Sequence, residues 1–227
     1  MSRMHAFEPT LEAVIAHHVA KELKPKGFRR TRLRFVRKEQ DGSASVVVFQ
    51  RHSVDPEWIS FYVVAGFVTR ASLDWFQGAE VSIEKAHPVD GIWSAGLRPE
   101  EGDLPRGLPA ELGIWGYRTE TESEACMAEV QQELQGPLAL LSRFARSGPV
   151  VRAQLLAEVV APSLVYHNSP SDLRAEILAL ADGVASYQLR TLLERDVAES
   201  GPHALHSWVA HRVGLEWPVR IRPEGAH

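Results

Sequence analysis

Three arginines at alternate positions, Arg30, Arg32 and Arg34, are the residues whose type and spacing point most directly to chemistry. On an extended chain, alternate side chains share one face and stand about 7 Å apart. Each guanidinium is a planar fork of donors that matches a carboxylate or a phosphate bidentately. A row of three would grip an acidic protein surface or a nucleic-acid backbone. Trp58 and Tyr62, on a later strand, are the aromatic candidates for the same surface, because cross-strand neighbours share a face. The surrounding segment is strongly basic, with nine Lys and Arg against one Glu between Lys21 and Lys38, a local charge of +8. The whole chain has a net charge of -4, so the remainder carries -12. The plainer reading is a solvated strand face whose arginines pair with acids elsewhere in the chain.

Other constellations carry less. His52 and Asp55 share a turn, and His87 lies on another loop; together they are the most site-like acid–base set. A capping Asp and an exposed His account for that pair equally well. His203 and His206 stand at i, i+3 on a short helix, with Glu199 one turn earlier and His211 later. One helix face would supply two metal ligands, but no His-Glu-x-x-His accompanies them, and the expectation is surface histidines and no metal. The adjacent His17 and His18 point about 100° apart on a helix and do not share an ion. Cys126, the single cysteine, has Glu124 and Glu129 as neighbours, which disfavour the thiolate; it reads as an inert thiol. Phosphate-binding glycine loops and the Gly-x-Ser-x-Gly elbow are absent from the sequence. No catalytic residue and no cofactor are expected.

The elements that must position these residues are legible in part. A helix over Pro9–Lys24 carries Leu11, Val14, Ile15, His18, Val19 and Leu23 on one stripe and stops at Pro25 and Gly27. Strand one, Phe28 to Lys38, puts Thr31, Leu33 and Phe35 on one face and the three arginines on the other, as for a sheet open on one side. Glu39–Ser43, with Asp41-Gly42, is a hairpin loop. Strand two, Ala44 to Arg51, and strand three, Trp58 to Thr69, complete a meander. Shorter strand candidates are Val81–Glu84, Trp93–Leu97 and Ile114–Tyr117, separated by loops such as Pro99–Pro109. From Thr121, at the start of a capping box, the chain is helical, with a kink or break expected at Gly136-Pro137. Further helices start at Gly148-Pro149 and Ser169-Pro170, another follows Gly183, and a last one follows Gly201-Pro202. Pro218–His227 reads as a tail.

The fold class is α+β: an antiparallel meander of about five strands packed by the first helix and the helix from Thr121. The expected division is an α+β domain over residues 1–147 and a helical extension over 148–227. With 227 residues, 44% hydrophobic and 24% charged, the chain builds a sizeable core without disulfides. One cysteine, no signal-like N-terminus and apolar runs no longer than a strand read as a cytoplasmic protein. Abundant Ala, Arg and Leu with few Lys read as bacterial.

The order Leu23-Lys24-Pro25-Lys26-Gly27-Phe28-Arg29-Arg30, then Arg34-Phe35-Val36-Arg37, Val47-Val48-Phe49-Gln50 and Phe61-Tyr62-Val63-Val64-Ala65-Gly66 resembles the bacterial domain-of-unknown-function family 4304. Ile114-Trp115-Gly116 and the helix Thr121–Phe144 match its later Trp strand and helix. The resemblance covers roughly residues 8–146. It implies the fold and supplies no activity, cofactor or site residue.

The favoured reading is a non-catalytic intracellular module that binds an acidic protein partner through an arginine-lined sheet face, with inhibition or immunity as one form of that role. This rests on analogy at the level of fold. The alternatives are a nucleic-acid binder using the basic strand and an enzyme with a site near His52, Asp55 and His87. No membrane association is expected.

Overall fold

The computed structural model describes residues 10–52, 58–99, 113–158 and 172–217. Asp55, the loop over 100–109, the helix start at Ser169-Pro170 and the tail from Pro218 lie outside the described residues. Thr10 caps the first helix, its hydroxyl accepting from the Ala13 amide. The expected single helix is two, α1 (Leu11–His17) and α2 (Val19–Leu23), interrupted at His18 with φ -94° and ψ -63°. The His18 carbonyl accepts a 3.1 Å bond from the Gln131 amide of a later helix. The apolar stripe survives the interruption: Leu11, Val14, Ile15, Val19 and Leu23 are all buried. A 3-10 turn over Lys24–Lys26 ends at Gly27, at φ +86°, where glycine is unstrained.

The sheet has six strands: β1 (Arg29–Thr31), β2 (Arg34–Lys38), β3 (Ala44–His52), β4 (Ile59–Val68), β5 (Trp93–Gly96) and β6 (Trp115–Tyr117). The order is β1-β2-β3-β4-β5, with β6 also pairing β4, and every pairing is antiparallel. The Asp41-Gly42 hairpin is present, with Gly42 at φ +84° and the Ser43 amide bonded to the Asp41 carboxylate. The expected strand from Phe28 to Lys38 is corrected. The chain turns back on itself at Arg32 and Leu33, so that Thr31 pairs with Arg34 and Arg30 with Phe35.

One sheet face carries Phe35, Val47, Phe49, Phe61, Val63, Ala65 and Phe67, all buried in one cluster with α1, α2 and α4 (Glu120–Arg146). α4 starts at a Thr119 cap, slightly before the expected box, and runs unbroken through Pro137. The other face is not open. Ala44, Val46, Val48 and Val68 pack under Leu73 of α3 (Arg70–Gln77) and under Ile83 and Ala86. Val81–Glu84 is therefore no strand; it leads into a 3-10 turn over Ile83–Lys85. Helices α5 (Pro149–Glu158), α6 (Asp172–Leu180), α7 (Tyr187–Ser200) and α8 (Ala204–Val213) follow. Their Ala153, Leu155, Ile177, Leu178, Leu189, Leu193, Leu205 and Val209 belong to the same buried cluster as the first sheet face. No helix among the described residues is long and apolar enough to cross a membrane.

Candidate functional site

Register decides what became of the arginines. Arg30 sits opposite Phe35 and Val47, on the face that packs α1, and donates 2.7 Å bonds to the carbonyls of Glu12 and Arg32. Arg34 sits opposite Val48, on the other face, and donates a 3.0 Å bond to the Lys85 carbonyl. Arg32 occupies the turn with φ +55°, the only non-glycine at positive φ among the described residues. The expected row of three on one open face is thus split three ways by a two-residue turn. Tyr62 lies on the Arg34 side, opposite Gln50, with its ring 4.9 Å from His52. Trp58 lies before β4 with the Arg118 guanidinium 4.5 Å over its ring.

The basic charge is spread instead over the end of α2, the 3-10 turn, β1 with its turn, and β2. Of the nine bases from Lys21 to Lys38, Lys26 pairs with Glu22, Arg37 with Glu39 and Lys38 with Glu84. Among the described residues the other six have no carboxylate at ion-pair distance. Arg29 on the edge strand and Arg32 at the turn are exposed, as is Lys24 just before them. Internal pairing accounts for a minority of the segment's charge.

Next to this edge runs a cleft between the Lys26 turn, the β2–β3 hairpin and α4. It has two lobes of about 700 and 380 Å³ that share Arg37 and Ser142. Arg37 is held in place from several sides: Nε donates to Glu39 at 2.8 Å, Nη2 to Ser45 at 3.2 Å and Nη1 to the Lys26 carbonyl at 3.4 Å. Its guanidinium lies 5.1 Å from the Phe28 ring centre. Sequence reasoning missed this cleft because its walls, Arg37 and Arg146, lie far apart along the chain.

His52, half-buried, pairs across the ladder with Ser60. Among the described residues neither His52 Nδ1 nor Ser60 Oγ has a hydrogen-bond partner. His87 opens a 3-10 turn; its ring nitrogen accepts from Val89 and its amide donates to Asp90. The next residue, Pro88, lies against the Gly66 position, six residues along β4 from Ser60. That is roughly 20 Å at the strand rise, so His52 and His87 do not converge.

The expected surface histidines are corrected at α8. His206 is 1% exposed and Asp196 2% exposed. Asp196 Oδ2 meets Nε2 of His203 at 2.8 Å and Nε2 of His206 at 2.9 Å. Glu199, the acid expected beside them, pairs with Arg195 instead. The missed signal was Asp196 itself, a charged residue on the stripe of Leu189, Leu192 and Leu193. The three groups have the donor types of a metal site, but their hydrogen-bond pattern opposes one. His206 Nδ1 accepts from the His203 amide at 3.1 Å, which places the ring proton on Nε2, toward Asp196. A metal on Nε2 would need that proton on Nδ1, facing an N–H. The Arg174 guanidinium, 3.4 Å from His203 Nε2, adds a repelling charge.

Burial pushes the His206 imidazole below the usual histidine range, against the raising effect of Asp196. Burial alone would raise the Asp196 carboxyl; the bonds from His206 and His203 outweigh it and hold it low. A depressed folded pKa means that the unfolded chain binds the proton first. The stability from a neutral His206 is therefore fully present above about pH 6.5 and is lost as pH falls through its lower folded value. The thermal midpoint is expected to fall between pH 6.5 and 5, and less steeply in His206→Asn. Identical slopes for the two proteins would refute this role.

Cys126 is half-buried, and burial with Glu129 nearby pushes its thiol up to about 12. It is a poor nucleophile at neutral pH.

The family described as Domain of unknown function (DUF4304) matches residues 19–143, more than half of the chain. No curated protein and no solved structure matches the chain. The matched span opens at Val19, the first residue of α2, runs through the β1–β4 meander and ends inside α4, so the basic edge and most of the cleft lie within it. The chain belongs to the DUF4304 family.

Proposed function

We propose that the chain is a non-catalytic module that binds an acidic protein partner through the β1 edge of its sheet. The observation that carries this is the six bases with no carboxylate at ion-pair distance among the described residues, with Lys24, Arg29 and Arg32 exposed within nine residues of chain. Unpaired cations on a rim raise association rates and select partners of opposite sign. An edge strand of three residues with charged side chains also resists pairing with other strands, so the edge favours docking through side chains. An intracellular inhibitor or immunity role is one form this binding takes.

A labelled oligoglutamate peptide and a labelled DNA duplex, titrated by fluorescence anisotropy at low salt, test the reading. The peptide is expected to bind and to weaken about tenfold or more in the double variant Arg29→Glu, Arg32→Glu. Both residues are exposed, so the thermal midpoint should stay within about 2 °C. Binding of DNA alone would move the reading to nucleic acid. Binding of neither would end it.

A further inference from the structure

The cleft beside the basic edge has the dimensions of a peptide site. Along α4 it extends from Gln135 to Arg146, about 17 Å at the helical rise. That length holds about five residues of extended chain. The floor is made of small or apolar side chains, Leu138, Ala139, Ser142 and Ala145. Lys26 stands at one end, Arg146 at the other and Arg37 in the shared middle.

The only carboxylate in the lining is Glu39, already bonded to Arg37 and Ser45. Glu22, beside the lining, pairs with Lys26 at 3.1 Å and accepts from Gln135. Three cations against two committed acids leave a surplus of one positive charge, at Arg146, which has no carboxylate at ion-pair distance among the described residues. The bonds of Arg37 to Glu39, Ser45 and the Lys26 carbonyl take three of its N–H groups, and a guanidinium has five. It is ordered before any ligand arrives and has donors to spare, so little entropy is lost on binding. Among the described residues no aromatic ring lines the cleft, so these supply no stacking platform of the kind that single-stranded nucleic acids use.

We infer that this cleft holds an extended acidic segment of a partner protein, with carboxylates toward Lys26, Arg37 and Arg146 and a small side chain over Ala139. This rests on the reading of the chain as a binder of acidic partners and gives that partner a shape. The segment lies along the cleft, and the exposed cations of the β1 edge steer it there.

Ala139→Trp separates the cleft from the edge, because it fills the floor without changing any charge. Ala139 is exposed, so the variant is expected to fold; circular dichroism checks this, and Arg146→Glu is the second variant. With the labelled oligoglutamate peptide as probe, each is expected to lower affinity about tenfold or more. If the peptide binds, Arg29→Glu with Arg32→Glu abolishes binding and both cleft variants bind as wild type, the cleft assignment is overturned and the edge reading stands. If the wild-type protein does not bind the peptide, both fall together.

Discussion

A chain ended after Ser147 is expected to lose cooperative folding, although it retains the whole family match. Phe144, fully buried, stacks on Phe67 at 5.3 Å and lies 5.9 Å from Trp93. A second contact on Phe67 comes from Arg152 of α5, 4.8 Å from the ring centre. Arg152 is 1% exposed, bonds the Phe144 carbonyl at 2.8 Å and pairs with Asp41 of the β2–β3 hairpin at 2.6 Å. Asp182, just after α6, accepts from the Arg70 and Ala71 amides and so satisfies the start of α3. Arg212 of α8 reaches Asp74 of α3 at 2.6 Å.

Truncation removes the contacts of Arg152, Asp182 and Arg212 and uncovers the Phe67–Phe144 stack. Exposing one fully buried Phe costs about 1.5–3 kcal/mol, breaking a buried ion pair costs more, and a whole domain has only about 5–15 kcal/mol to lose. The truncated chain should show secondary structure by far-UV circular dichroism but a broad thermal transition and dye binding. A sharp transition like that of the full chain would show that residues 1–147 stand alone.

The second large effect is expected at Gly91 and Gly66. A Cβ on Gly91 would stand 2.4 Å from the Phe67 carbonyl oxygen and 3.0 Å from the Pro88 oxygen. One on Gly66 would stand 2.8 Å from the Pro88 Cα. These are backbone atoms, and the Phe67 oxygen already accepts from the Ile92 amide at 3.0 Å. Gly91 has φ -89°, so its requirement is steric, not conformational. Overpacking of this kind costs about 1–3 kcal/mol or more. Gly91→Ala and Gly66→Ala should each lower the unfolding midpoint by roughly 4–10 °C; an unchanged midpoint would remove the close approach as a cause. Gly66 closes the motif Phe61–Gly66 that carries the family resemblance, and the crossing Pro88 turn explains why a glycine serves there.

The meander was legible because its hairpin uses Asp41-Gly42 and its strands alternate or run apolar. The helical stretch was legible from the periodicity of Met127, Val130, Leu134, Leu138 and Leu141, all buried. The β1–β2 turn was not, because Thr31-Arg32-Leu33-Arg34 contains none of the residues that favour turns. Local alternation mimicked one long strand; the left-handed backbone at Arg32 and the pairing of Thr31 with Arg34 are what distinguish the two. Helix α3 was missed because Thr69 and Ser72, which cap it reciprocally, directly follow a strand with no break in composition. The cleft joins residues across most of the chain, so no short window of sequence contains it, whereas the histidine cluster spans only Asp196 to His206 and is formed by the turn between α7 and α8.

Arg32 brings a consequence of its own. A side chain in the left-handed basin costs about 1 kcal/mol relative to glycine. Random substitution toward glycine or asparagine would relax this turn, so thermodynamic drift alone works against a cation there. Arg32 thus holds the β1–β2 turn at a backbone cost that glycine would not bear.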